Sequence, residues 1–137
     1  MRIRKETELD SEEILLISEV SNALAHPARV KLFKYIFDRN RELAGVCTKE
    51  LVEHFDYAQA TISQHMKVLL ESGLVVGKNV NKYTYYYINL GAFSKYLDTV
   101  KKFSTRGREQ RLLFLYVEIV HKGETNRGNV EFYTFSD

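Results

Sequence analysis

The sequence predicts a mainly α-helical fold carrying one small β-hairpin, an α+β arrangement, and three observations support it. The first is DYAQATISQHMKVLLESGLVV, residues 56 to 76. Within it Ile62, Met66, Leu69 and Leu70 follow the i, i+4, i+7, i+8 series of a helix that buries one stripe. Ser72-Gly73 ends this helix, which is expected over residues 58 to 72. The second observation is a shorter helix just ahead of it. Thr48 stands as its cap, Glu50 suits the positive end, and Leu51, Val52 and Phe55 point inward. The third is a strand at Leu74-Val75-Val76, a polar turn from Gly77 to Lys82, and the β-prone run from Tyr83 to Ile88. A short helix, the Asp56-Tyr57-Ala58 turn, a longer helix and a hairpin beside it form a winged helix-turn-helix.

The remaining elements follow in order. Ser11 reads as the cap of a first helix, with Glu12 and Glu13 in its first turn and Ile14, Leu15, Val20 and Leu24 as its apolar face. His26-Pro27 restarts the chain with Pro in a first-turn position, and Val30, Leu32, Phe33, Ile36 and Phe37 make a second, buried helix that ends within residues 38 to 43. After Asn89, a fifth helix carries Phe93, Tyr96, Leu97, Val100 and Phe103 along one seam. Past Gly107, RLLFLYVEIV is almost wholly apolar and NVEFYTF alternates, so an extra C-terminal β-hairpin is expected there. The domain division that follows is 1–107 for DNA binding and dimerisation and 108–137 for a C-terminal extension of unassigned role.

Composition narrows the function. A chain of 137 residues has room for one domain with an appendage, and 45% hydrophobic with 12% aromatic residues is too apolar for a disordered chain. No apolar run reaches the roughly 18 residues of a membrane span, and MRIRKETELD lacks a signal-peptide core, so a cytoplasmic protein with no membrane partner is expected. The single Cys47 cannot close an internal disulfide, which agrees with a reducing compartment. Net charge is only +2, so a polyanion partner must be recognised by local arrangement. The bases Lys95, Lys101, Lys102, Arg106, Arg108 and Arg111 cluster against only Asp98 and Glu109.

The outer face of helix 58–72 supplies that arrangement. Gln59, Ala60, Thr61, Ser63, Gln64 and Lys67 lie away from the apolar stripe, small and polar, and such a surface suits a DNA major groove. Gln59 and Gln64 are the expected base readers, with Lys67 and the wing residues Lys78 and Lys82 on phosphate.

The phrases SNALAHPARVKLFKYI, CTKELVEHFDYAQATISQHMKVLLESGLV and NKYTYYYIN resemble the ArsR/SmtB family of bacterial and archaeal winged-helix repressors over about Val20 to Phe103. The landmarks are ALAHPAR from Ala23, QATISQHMKVL from Gln59 and ESGLV from Glu71, in that order and spacing. The resemblance implies that Gln59, Ala60, Ser63 and Gln64 approach DNA, that the turn from Lys78 to Lys82 is the wing tip, and that the first and last helices build a homodimer. On that reading the interface draws on Phe93, Tyr96, Leu97 and Val100. The family often has Ser at the position of Ala58 and Arg at that of Gln64. Its metal-sensing members carry Cys-x-Cys where this chain has Cys47 and Lys49, and others place His ligands along the fifth helix, where this chain has none.

No metal and no cofactor are therefore expected: Cys47, His26, His54, His65 and His121 show no ligand spacing. Cys47, just ahead of a helix start and near Lys49, is a possible redox-sensing thiol or a small buried hydrophobe. The Tyr-rich strand reads chiefly as packing, His65 as a hydrogen-bonded structural histidine, and Arg29 as an internal tether. Phosphate loops, His-Glu-x-x-His and Gly-x-Ser-x-Gly are all absent from the sequence, so an enzyme is not expected. The sequence thus points to a sequence-specific, homodimeric DNA-binding regulator, a repressor, acting on an imperfect palindrome; the alternative is a winged-helix protein-interaction module that never touches DNA. No motif names an effector.

Overall fold

The computed structural model describes residues 8–103 and 109–127. The chain divides into two compact units, Met1–Lys102 and Phe103–Asp137. In the first, helices α1 (Ser11–Ala23), α2 (Pro27–Arg41), α3 (Thr48–His54), α4 (Gln59–Glu71) and α5 (Leu90–Val100) surround a three-stranded antiparallel sheet. Its strands are β1 (Val46–Cys47), β2 (Val75–Val80) and β3 (Tyr83–Ile88), in the order β1-β3-β2. A 3-10 turn, Lys101–Phe103, follows α5, and the second unit contains helix α6 (Glu109–Arg127).

Local chemistry explains each boundary. Asp10, not Ser11, caps α1: its side chain accepts from the Glu13 backbone N–H at 2.8 Å while Glu13 Oε1 accepts from the Asp10 N–H at 3.1 Å, a reciprocal capping box. A carboxylate one residue earlier outcompetes the Ser hydroxyl because Glu13 stands at the matching third position. His26 caps α2, its Nδ1 accepting from the Ala28 N–H at 3.1 Å, and Pro27 needs no partner at the first helical position. Thr48 begins α3 but does not cap it; Cys47 holds the cap position without a side-chain bond, and the Thr48 hydroxyl pairs instead with the Tyr86 hydroxyl at 3.0 Å. Strand β1 was not foreseen, since two residues carry no periodicity. It exists because β3 offers a free edge, on which Val46 faces Tyr86 and Cys47 faces Tyr85.

Among the described residues the core is a single cluster. Val20, Ala23, Leu32, Ile36, Val46, Leu51, Ile62, Met66, Leu69, Leu74 and Val75 are almost wholly inaccessible, with Phe33 and Tyr86 nearly so. Three expected core positions are outside it: Ile14, Leu15 and Val30 are 55%, 56% and 46% exposed. They lie on the faces of α1 and α2 that turn away from Val20 and Leu32. Helices α1 and α5 pack together, and the Lys102 ammonium reaches the nearly buried Glu13 carboxylate at 2.6 Å. One of the bases expected in a cationic stretch is thus a structural tether. Lys101 pairs with Asp98 at 3.6 Å, while Arg106 and Arg108 lie outside the described residues.

Two expectations are overturned. The wing is longer and its turn tighter than Gly77 to Lys82: pairing continues through Lys78↔Tyr85, Asn79↔Thr84 and Val80↔Tyr83, leaving only Asn81 and Lys82 as the turn. Asn81 takes the left-handed conformation, φ 57°, that Asn tolerates well, and the Thr84 hydroxyl donates to the Asn79 side-chain oxygen at 2.8 Å. The stretch RLLFLYVEIV is helical within α6, not a strand of a hairpin. Only three of its ten residues are β-branched, and Glu118 bonds Lys122 one turn on at 3.1 Å. NVEFYTF lies outside the described residues.

Candidate nucleic-acid interface

Helix α4 is fixed from below by Ile62, Met66 and Leu69, which are at most 1% exposed. That anchoring turns Gln59, Ala60, Thr61, Ser63, Gln64 and Lys67 outward, and all six are exposed. No acidic residue occupies the first turn, so the positive end of the helix is unopposed by its own side chains. The cap residue Ala58 makes no side-chain bond, and the first turn's donors remain available to an outside acceptor.

An aromatic series fixes the turn between α3 and α4. Tyr35 stacks near His54 at 4.2 Å between ring centres, His54 meets Phe55 at 4.9 Å, and Phe55 stacks on Tyr57 at 6.1 Å. At the other end of α4, Gly73 takes φ 81° and its N–H bonds the Leu70 carbonyl at 3.1 Å. Asn89 then ties three elements: its amide donates to the Gly73 carbonyl at 2.9 Å, its side-chain oxygen caps α5 through the Ala92 N–H at 3.2 Å, and its backbone N–H bonds the Leu74 carbonyl at 2.8 Å. Asn40 performs a similar service, accepting from the Ile88 N–H at 2.8 Å and donating to the Ala44 carbonyl at 2.9 Å. Neither Asn was singled out in the sequence, because an isolated Asn at an element end reads as a turn residue.

Between α3, the start of α4 and the wing lies an open cleft of about 570 Å³, lined by Thr48, Lys49, Gln59, Ser63, Lys82 and Tyr83 among others. Two predicted contact residues, Gln59 and Ser63, and the wing residue Lys82 therefore share one concavity. Lys49 joins them there, a base that the sequence offered only as the residue in place of a metal-binding cysteine and as a neighbour of Cys47. Lys78 does not belong to the turn; it is exposed on β2 opposite Tyr85. Cys47 borders the same cleft and is a free, half-buried thiol. Among the described residues no three His, Cys, Asp or Glu side chains gather closely enough to hold a metal ion.

Behind α4, Arg29 is the tether its sequence suggested. Its Nε donates to the Ala23 carbonyl at 2.7 Å and its Nη2 to the Asn22 carbonyl at 3.2 Å, which satisfies the end of α1. A third contact, at 3.5 Å, joins the guanidinium to His65 Nδ1, and the His65 ring lies 4.6 Å from that of His26. Burial, then the neighbouring His26 and Arg29, hold the His65 imidazole below its ordinary value. The α5 seam divides in two: Phe93 and Tyr96 pack against the core, whereas Leu97 and Val100 are 44% and 36% exposed.

A helix held by its apolar stripe, with a small polar outer face and a hairpin alongside, defines a winged helix-turn-helix DNA-binding protein. Residues 24–77 match the family model described as a helix-turn-helix domain. The chain is 29% identical over 93 residues to an uncharacterized helix-turn-helix-type transcriptional regulator, YbzH, of Bacillus subtilis, spanning 61% of this chain and 93% of that one. It is 33% identical over 70 residues to an arsenical resistance operon repressor of Staphylococcus xylosus, half of this chain and 62% of that protein. In structure it is similar to an ArsR-like transcriptional regulator of Rhodococcus sp. RHA1, with a TM-score of 0.60 at 16% identity over 84% of this chain and 98% of that one. The chain thus carries a helix-turn-helix domain and has the winged-helix fold of ArsR-like transcriptional regulators.

Proposed function

We propose that this regulator is a homodimeric repressor that inserts α4 of each protomer into successive major grooves of an imperfectly palindromic operator, with the β2–β3 wing alongside. The outward face formed by Gln59, Ala60, Thr61, Ser63, Gln64 and Lys67, all exposed, carries the reading. Gln59 and Gln64 have the paired donor and acceptor that an adenine edge requires, while Lys67 and Lys82 neutralise phosphate, as does Lys78 from its strand. Dimerisation uses the exposed Leu97 and Val100 of α5 with Ile14 and Leu15 of α1, while Phe93 and Tyr96 support that seam from beneath. Similarity to two arsenical resistance operon repressors, of Staphylococcus xylosus and Bacillus subtilis, supports the repressor assignment.

Fluorescence anisotropy on the chain's own upstream region tests the roles. Gln64→Ala is expected to cost about 1 to 3 kcal/mol on the preferred site and little on random duplex. Lys67→Ala is expected to weaken both alike and to lower the slope of log K against log salt by about 1. Equal losses for Gln64→Ala on cognate and random DNA would remove it as a reader.

A further inference from the structure

We infer that Lys49 of α3 is a further phosphate contact and that Glu53, one turn on, is the counter-ion from which DNA takes it, so that this pair sets the strength and salt dependence of binding to any duplex. The inference rests on the docking proposed above. Leu51, wholly buried, fixes how α3 is turned. At about 100° per residue, Lys49 and Glu53 each lie about 200° from Leu51, on the outer side of the helix, and both are exposed. That side forms one wall of the cleft that Gln59, Ser63 and Lys82 complete. Of the residues lining it, Lys49 and Lys82 carry positive charge and Glu53 alone carries negative, which leaves the cleft cationic. The other acid of α3, Glu50, turns towards α2 and meets Arg39 at 3.5 Å. Gln59 and Ser63 belong both to the outward face of α4 and to this cleft. A major groove that receives α4 therefore brings one of its walls, a row of phosphates, against the cleft.

Magnitudes decide whether Lys49 is free to turn to that row. Its contact with Glu53 is 4.0 Å long, and the two side chains are 73% and 67% exposed. Water and salt screen such a pair, and Lys on the N-terminal side of Glu is the less favourable order on a helix. A DNA phosphate belongs to a line of like charges with condensed counter-ions, and their release adds a driving force that a lone carboxylate lacks. The phosphate wins the ammonium. Glu53 then stays in the cleft and repels the same backbone, so one residue draws the duplex in and its neighbour limits the affinity.

Anisotropy titrations of the full chain on its own upstream region and on random duplex, at about 0.05 M and about 0.2 M salt, test this. Lys49→Ala is expected to weaken binding to both DNAs about fivefold at the lower salt and less than about twofold at the higher, because the slope of log K against log salt falls by about 1. Glu53→Gln is expected to tighten both by about two- to threefold, and by less in a Lys49→Ala background. Lys34→Ala is the control: it removes the same charge from a pair of the same spacing on α2, Lys34 with Asp38 at 2.7 Å, and is expected to leave the slope unchanged. Lys34, Lys49 and Glu53 are all exposed, so the substitutions leave the core intact. A Lys49→Ala loss no greater than that of Lys34→Ala, or an unchanged slope, overturns the phosphate contact, and a Glu53→Gln variant that binds no tighter overturns the counter-ion role. With Gln64→Ala and Lys67→Ala behaving as expected, either result leaves the α4 docking standing. A wild-type chain that binds neither DNA at the lower salt overturns that docking and this inference together.

Discussion

At the scale of single residues, the His65 imidazole couples the back of α4 to α1 and α2. Because burial, His26 and Arg29 hold its folded value below the ordinary one, the unfolded chain binds a proton first as pH falls. The sign follows: this contribution is fully present above about pH 6.5, the unfolded value, and is lost as pH drops below it towards the folded value. Urea midpoints measured between neutral and mildly acidic pH are expected to fall more steeply for the wild type than for His65→Gln. Parallel slopes would show that other groups carry the acid sensitivity. His65 is half-buried and flanks the exposed Gln64, so the same titration acts directly behind the row proposed to read bases. Its role as a bonded structural histidine was visible in the sequence from its place at the margin of the Ile62–Met66 stripe. Its partners were not, since Arg29 lies 36 residues away and only the fold brings the two together.

At the scale of elements, α4 and the wing depend on how α4 stops. Gly73 sits at φ 81° with open space where a Cβ would be, so Gly73→Ala strains the backbone without a clash. Thermal or urea unfolding is expected to show a loss of about 1 to 2 kcal/mol, with DNA affinity at low temperature retained. A loss near zero would mean that the turn relaxes to another conformation. The elements foreseen best are those with strong periodicity, α2, α4 and α5. Periodicity failed for β1, too short to display one, and for RLLFLYVEIV, whose six adjacent apolar residues from Leu112 to Val117 fit strand and helix alike. The wing strands were expected, but their extent was not: Gly77, Asn79 and Asn81 look like loop residues, and the ladder runs through the first two because the Tyr83 to Ile88 strand pairs along its full length.

At the scale of the whole molecule, a dimer reading a palindrome must keep its two helices about 34 Å, one duplex turn, apart. Inserting about 5 base pairs between operator half-sites is expected to abolish cooperative binding by moving one half-site to the opposite face, whereas about 10 restores the facing. Unchanged affinity at both spacings in a mobility-shift titration would indicate that one protomer suffices. The outward face of α4 was legible almost completely, because it is the complement of a clean apolar stripe. The seam on α5 was legible only as apolar; which of its residues turn to the core and which to solvent depends on α1 and the sheet, and no single helix pattern encodes that.

The chain's sole thiol borders the concavity shared by Gln59, Ser63 and Lys82. On the proposed docking, a maleimide dye placed there sits at the protein–duplex boundary and changes its emission when an operator arrives, giving a solution reporter with no added labelling site.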